Sequence, residues 1–448
     1  MTIKEEAKAS GSRVRPDYVP KDAYLDPEFA KLEAERMWSR VWQIACREEE
    51  LPKVGSYVTV DVGNESFIVI RSDDNSLKAF HNVCQHRGRR LVEGVAGQTQ
   101  QFTCGFHAWR YNIDGSIRKI PDHQDWGDRL PACEVGLKPL KLETWGGFVY
   151  VNMDLNAGPL KEFLGKAYEM LTPFEFENMR YRWYKTARMK VNWKVAIEAF
   201  NEGYHVQGTH HQALRIMDDP TSSFAYGPHS MFFQPEVNSR GIGQPSARTN
   251  LPTSEDYRPG IVRYVEEFES DLKGLFCDRH PAATRRLLTE VDASATYYEV
   301  LGEMVRFWRE AALEAGAGWP ENLTAEHVGQ AGTDWHVFPN YVTLMTPDAA
   351  ICYRVRPDGL DPESCFFDMW ALQRYAPGAE PPLERQYFDY WRDHDDWGMV
   401  YTQDFSNMEA VQKGMKSSGF VAARTNPKQE VPVSNFHRVI HEYVERQD

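Results

Sequence analysis

Four side chains in one short stretch carry the most informative chemistry of the chain. Residues 81–111 read HNVCQHRGRRLVEGVAGQTQQFTCGFHAWRY, with Cys84 and His86 as one pair, Cys104 and His107 as a second, and seventeen residues between the pairs. Each pair offers one soft thiolate and one imidazole. Two thiolates on one iron and two imidazoles on the other make the donor set of a high-potential [2Fe–2S] cluster, because neutral imidazoles raise the potential above that of a four-thiolate cluster. The competing reading of the same donors is a structural zinc ion, although zinc modules usually set Cys with Cys and His with His. Gly88, Gly94 and Gly97 lie in the gap, and Gly105 sits inside the second pair. Loops that curl around a cluster with their N–H groups turned to its sulfurs need the φ values that Gly permits.

A second group of candidates lies in MKVNWKVAIEAFNEGYHVQGTHHQ, residues 189–212. The segment VAIEAFNEGYHV predicts a helix with Val195, Ala199 and Phe200 on its apolar side. Glu198, Glu202 and His205 then share one face. Gly208 interrupts the pattern before His210, and a local unwinding there would turn His210 back toward His205.

Stepping outward, the first four donors need loops held by short strands. From Gly55 the hydrophobic period is two, through YVTVDV, SFIVIR and LKAFHNV, with breaks at Gly63-Asn64 and Asp73-Asp74-Asn75;. The first donor loop follows directly. The second sits in the hairpin QFTCGFHAWRYNIDGSI, which turns at Asp114-Gly115, and LKPLKLETWGGFVYVNM closes the strand-rich region near residue 153;. This predicts a small antiparallel domain with the four donors at its tip. Before it, residues 22–46 predict a helix starting at Asp26-Pro27, with Phe29, Met37, Trp38 and Trp42 as core;. After it, RYRWYKTARMKVNW reads as strand, 260–315 as helices, and DWHVFPNYVTLMT, AAICYRVRP and ESCFFDMWALQRY as strands. Residues 384–416 read as a long helix broken near Gly398, and VSNFHRVIHEYVERQ as a closing helix. Arg240 to Pro252 reads as a loop.

The bulk numbers exclude several function classes. A length of 448 residues suits two or three domains;. A net charge of −14 argues against nucleic acid or an anionic membrane as partner;. No apolar run is long enough to span a bilayer, and the polar N-terminus MTIKEEAKASGSRVRP is no signal peptide;. The seven scattered cysteines form no disulfide framework and suit a reducing cytosol;. Neither G-x-G-x-x-G nor a P-loop occurs, so electrons for a cluster must come from another protein;.

The pattern C-x-H-x17-C-x2-H, with Arg87-Gly88 after the first pair and Trp109 after the second, resembles the Rieske domain. Nearly the whole chain resembles the large, catalytic (alpha) subunit of Rieske non-haem iron aromatic-ring-hydroxylating oxygenases. Glu202-x2-His205-x4-His210, preceded by Asn192-Trp193-Lys194, is similar to that family's acid-x2-His-x4-His motif, and Asp404 in QDFSNMEAVQKG resembles its distant carboxylate. The resemblance implies an α+β chain with an N-terminal tail and helix over 1–44 packed on the catalytic domain. An antiparallel β Rieske domain over 45–155 and a helix-grip catalytic domain over 156–448, an antiparallel sheet around a long helix, follow. It implies Cys84, His86, Cys104 and His107 as ligands of the [2Fe–2S] cluster. It also implies His205, His210 and Asp404 as ligands of a mononuclear Fe(II), a two-His-one-carboxylate set that leaves positions open for O2 and substrate. Asp393, Asp395 and Asp396 are alternatives to Asp404, and His211 competes with His210. The resemblance also implies for Glu202 the role of the acid that links a Rieske His of one subunit to an iron-ligand His of the next. The commoner residue there is Asp; Glu198 is the competitor.

From the resemblance follow electron delivery by a ferredoxin or flavin reductase drawing on NAD(P)H, and a homotrimer, with or without a small subunit. Hydroxylation or cis-dihydroxylation of an apolar, aromatic small molecule is expected, inside the cytoplasm. The alternative is a monooxygenase or demethylase acting on a non-aromatic or quaternary-amine substrate, since relatives of that kind carry Glu at the bridge position. Pocket candidates are Phe200, Met217, Phe232, Phe233, Val342 and Met345; a carboxylated substrate would call for a buried Arg among Arg215, Arg240 and Arg354. Two rivals of other classes are an electron carrier with the cluster alone and a zinc-stapled binding module.

Overall fold

Alternation between buried and half-exposed positions in Ser56–Val62 forms the kind of strand its period of two requires;. It sits in a four-stranded antiparallel sheet between Glu65–Arg71 and Ala96–Gln98, with Leu77–His81 on the far side of Glu65–Arg71. A computed structural model describes residues 14–127, 129–233 and 240–446 of the chain. Its contacts divide the chain into two units: Lys31–Phe163 with Asp358–Leu360, and Met1–Ala30 with Leu164–Pro357 and Asp361–Asp448.

In the smaller unit, two further sheets complete the strand set. Gln101–Thr103, Arg110–Asn112 and Ile117–Lys119 form one, and Lys141–Trp145, Phe148–Asn152 and Gln43–Arg47 the other. The last strand corrects the helix expected over 22–46. Helical backbone runs over Asp22–Leu25 and Pro27–Leu32 and continues as a wider turn through Trp38, but Gln43–Arg47 is fully buried and pairs with Phe148–Asn152. Apolar spacing could not distinguish a buried strand from the end of a buried helix, because neither shows a polar face. Ile68, Ile70, Phe102, Trp109, Tyr111 and Ile113 pack in a core that also takes in Cys84 and Cys104.

The larger unit is built on an eight-stranded sheet. In spatial order it runs Ser222–Tyr226, His229–Phe233, Asp334–Val337, Tyr341–Thr346, Ala349–Pro357, Cys365–Arg374, Met179–Met189 and Arg385–Phe388. All neighbours are antiparallel except the last pair, where Arg385–Phe388 runs parallel to Met179–Met189. This strand corrects the long helix expected over 384–416. Only Met399–Met415 is helical, and it starts after Gly398, whose φ of +108° no side chain favours. The N-terminal segment joins this unit: Val19–Pro20 pairs with Ala422–Ala423, and Tyr24 and Phe29 pack on His437 and His441. Helices Arg258–Leu272 and Tyr297–Glu314 fill the region read as helix-rich. Among the described residues no helix is long and apolar enough to cross a membrane.

Candidate metal centres and substrate cavity

The two loops that carry Cys84 and Cys104 are built alike. Cys84 N–H donates to Arg89 O and Gly88 N–H to Cys84 O; Cys104 N–H donates to Trp109 O and Ala108 N–H to Cys104 O, at 2.8–3.0 Å throughout. Both loops close through a residue of positive φ, Gly88 at +73° and Ala108 at +58°. Ala108 adopts a conformation that costs an L-residue about 1–2 kcal/mol, and no residue type signalled it in the sequence.

Both cysteines are buried free thiols. The His86 and His107 rings lie with centroids 4.5 Å apart, and His86 stacks on Trp109 at 5.0 Å with 6° between planes. The Nδ1 atoms of both imidazoles are buried and find no hydrogen-bond partner among the described residues. Two buried ring nitrogens of that kind, beside two thiols, fit a group that takes their lone pairs. Burial by itself raises the Cys104 thiol, but the N–H groups of Phe106 and His107 outweigh it and hold the thiol below its ordinary range. Burial, then the charges of His107 and Arg87, keeps His86 below the usual imidazole range and so in the neutral, ligating form. Tyr111 places its hydroxyl 3.2 Å from Cys84 Sγ and accepts the N–H of Gln85, a contact the sequence did not advertise.

The second centre forms where the chain leaves helix Trp193–Glu198. Asn192 caps this helix through Lys194 N–H, and the helix stops short of the twelve residues expected. Residues 200–205 are turns, so Glu198 and Glu202 do not lie on one helical face with His205. Glu198 turns away, accepting from the Tyr24 hydroxyl at 3.0 Å and meeting His437 Nε2 at 2.5 Å; burial raises its carboxyl to about 8. Glu202 instead folds onto the turn. Its Oε2 accepts the N–H groups of Tyr204 and His205, and its Oε1 lies 2.7 Å from His205 Nδ1.

The break expected at Gly208 lies two residues later, at His210. Val206–Thr209 is a short helical turn that includes Gly208, and the backbone leaves helix at His210 (φ −110°, ψ 55°). That departure brings His210 Nε2 to 3.2 Å from His205 Nε2. Asp404 arrives from the helix Met399–Met415, its Oδ1 3.0 Å from His210 Nε2 and 3.6 Å from His205 Nε2. Gln403, beside it on the helix, offers Oε1 at 2.7 Å to His210 Nδ1 and exchanges hydrogen bonds with Gln212.

This geometry has an electrostatic consequence. Glu202 and Gln403 each accept a ring Nδ1–H, so both Nε2 lone pairs and a carboxylate oxygen converge on one point. Three such acceptors within 4.8 Å repel one another unless a cation sits among them. A six-coordinate ion with ligands at about 2.0–2.2 Å sets neighbouring donors about 3 Å apart; the three separations here are 3.0, 3.2 and 3.6 Å. Burial opposes charge on His205, but the Glu202 and Asp404 carboxylates outweigh it and raise the ring to about 9, so the position between the three groups favours positive charge, held as a proton on His205 Nε2 or, in its place, as a metal ion. Asp396 pairs with Lys273 on the surface, far from this role, and His211 is exposed outside the cluster. A further buried trio, Cys277, His280 and Asp348, is already satisfied: His280 Nδ1 accepts Cys277 N–H, Nε2 meets Asp348 at 2.7 Å, and Arg279 holds the same carboxylate.

Family models for the Rieske [2Fe–2S] domain and for the ring-hydroxylating alpha subunit, catalytic domain, match residues 41–140 and 176–446. The chain belongs to the ring-hydroxylating alpha-subunit family. This alpha subunit is 33% identical over 214 residues to the glycine betaine monooxygenase oxygenase subunit of Chromohalobacter salexigens, covering 46% of this chain and 48% of that protein. It is 34% identical over 206 residues to the large oxygenase component of the naphthalene 1,2-dioxygenase system of Pseudomonas putida, covering 45% and 46%. The matched segment thus spans about half the length of these curated relatives. In fold it is similar to a quaternary ammonium Rieske monooxygenase solved with L-carnitine (TM-score 0.63, 18% identity, 96% and 97% of the two chains). It is equally similar to naphthalene 1,2-dioxygenase from Rhodococcus sp. bound to indole (TM-score 0.63, 18% identity, 99% and 97%). The family's cofactors, a Rieske [2Fe–2S] cluster and a mononuclear iron, are those the two donor sets fit.

The triad of this alpha subunit stands on the wall of a cavity of about 300 Å³. Phe200, Phe268, Phe276, Trp308, Met345 and Tyr353 are among its apolar lining. Of the candidates read from sequence, Phe200, Met217, Phe232 and Met345 line it, Val342 is buried elsewhere in the sheet, and the Phe233 side chain lies outside the described residues. Of the three candidate arginines Arg354 is the buried one, and it is absent from the lining, bound by Asp368 and Tyr184.

Proposed function

We propose that the chain is the terminal component of an oxygenase that uses O2, and electrons from a ferredoxin or flavin reductase, to oxidise a mostly apolar small organic molecule in the cytoplasm. One observation carries the reading: His205, His210 and Asp404 bring two Nε2 atoms and a carboxylate oxygen to one point on the wall of an apolar cavity, in a chain that also holds a buried Cys2His2 set. When bound, the cluster supplies electrons singly and the mononuclear iron supplies the centre at which O2 is reduced. His205, His210 and Asp404 would hold that iron, and Cys84, His86, Cys104 and His107 the cluster. Glu202 fixes the tautomer of His205 and, as the bridge acid, would accept a hydrogen bond from a cluster histidine of a neighbouring subunit. Gln403 fixes His210 in the same way. The aromatic wall excludes water and holds the substrate against the triad. A head-to-tail ring of three subunits is the closed assembly that lets every Glu202 meet a neighbour's cluster domain; a small companion subunit is compatible with it.

Iron analysis and the visible spectrum of the purified protein test the reading. About three irons per chain with a red-brown Rieske band are expected; two irons would mean an electron carrier, and a colourless zinc protein would overturn both metal assignments. Turnover under labelled O2 then separates incorporation of one oxygen atom from two.

A further inference from the structure

The cavity wall holds one group that an apolar substrate does not explain. Asp334 opens the strand Asp334–Val337, between Phe232 on one neighbouring strand and Leu344 on the other, and its side chain lines the cavity. It is 1% exposed, yet neither carboxylate oxygen has a hydrogen-bond partner among the described residues. Buried carboxylates without partners are rare and costly, because desolvation is not repaid.

The surroundings decide what would repay it. Among the described residues no lysine or arginine lines the cavity; the ionisable groups there are the Glu202, Asp219, Asp334 and Asp404 carboxyls, His205, His210 and two tyrosines. Glu202 is occupied by His205, Asp404 belongs to the triad, and Asp219 is bound by Ser246 and Arg248. Of these four carboxyls, Asp334 alone is left without a partner among the described residues. The segment 234–239, QPEVNS, contains no lysine or arginine. The lining is rich in aromatic rings, a residue type whose face attracts a cation at close range;. Burial and Tyr401 first, then the Asp334 and Asp404 carboxylates, push the Tyr353 hydroxyl up, so both carboxylates lie within electrostatic reach of one cavity-lining ring. Burial with no offsetting charge pushes the Asp334 carboxyl well above the usual range, which is the state a bound cation would reverse;.

We propose that Asp334 is the specificity-determining residue of the cavity and anchors a cationic nitrogen of the substrate, an alkylated or protonated amine whose remaining surface is apolar. The inference rests on the cavity being the substrate site of the oxygenase. An anionic substrate is disfavoured by the same wall.

Calorimetric titration of the cluster- and iron-loaded enzyme with two matched pairs tests it. The pairs are choline against the dimethylbutanol in which carbon replaces its nitrogen, and phenyltrimethylammonium against tert-butylbenzene. The expected result is at least about ten-fold tighter binding of each cation than of its neutral isostere. Asp334→Asn should abolish that preference while neutral binding stays within about two-fold and iron content is retained. Equal binding of cation and isostere by the native enzyme overturns the proposal, and so does a preference that survives in Asp334→Asn. The native comparison needs no variant, and Asp334→Ser serves if Asp334→Asn fails to fold. Iron and cluster content, read on the same sample, report on the oxygenase reading separately: a loaded enzyme with no cation preference removes Asp334 alone.

Discussion

At the scale of single residues, the two iron-ligand imidazoles are controlled by what holds their far nitrogens. Glu202 holds His205 with a charged acceptor at 2.7 Å, and Gln403 holds His210 with a neutral one at the same distance. Outer partners of this kind are worth roughly 10–100-fold in metal affinity or activity. Gln403→Leu is therefore expected to loosen iron by about that factor, read as iron retained after dialysis against a chelator, while the cluster spectrum stays unchanged. Glu202→Gln keeps a hydrogen-bonding side chain of the same shape. It is expected to leave both metals bound and to slow reoxidation of the reduced cluster, followed by stopped-flow with substrate and O2. Unchanged reoxidation would remove Glu202 from the path between the metals.

At the scale of elements, the two centres depend on two irregular loops and on where two helices stop and start. The Cys84 and Cys104 loops close through left-handed residues, and the triad needs the helix Trp193–Glu198 to end early and the helix Met399–Met415 to begin on time. Gly398 sets that beginning. Its φ is +108°, and an added Cβ would lie 2.2 Å from Asp271 O, a backbone atom that cannot swing away. Gly398→Ala is expected to cost about 1–3 kcal/mol of stability and to shift the helix that presents Gln403 and Asp404. A lowered melting temperature with weakened iron retention is the expected readout; a stability loss with normal iron content would separate the helix start from the site.

At the scale of the whole molecule, acid sensitivity follows from imidazoles buried neutral. Burial drives His336 down to about 3, slightly opposed by its bond to the Pro339 carbonyl, and drives His437 well below the usual range. The unfolded chain binds protons at these rings near pH 6.5 while the folded chain does not, so folding loses stability as pH falls below about 6.5. For His336 alone the loss is about 1.4 kcal/mol per pH unit and ends near pH 3;. Denaturant midpoints measured between pH 7 and 5 are expected to fall, and to fall less in His336→Gln than in the native chain.

The chain's own order of residues determined the identity of the donors and most of their local frame. Cys84, His86, Cys104 and His107 are close in sequence because one loop and one hairpin carry them, and period-two strands announced both;. His205 and His210 were legible for the same reason. What only the tertiary structure decided lies where partners come from distant segments. Asp404 was one of four nearby aspartates until the helix Met399–Met415 set it beside His210, and Glu202 was one of two acids until the helix before it ended. Gln403, Tyr111 and Asp334 gave no signal at all: a polar residue's burial and its lack or possession of a partner are properties of packing, set by the elements that close around it;. Residue type limits what a side chain can bond to, and only the folded sheet determines what it meets.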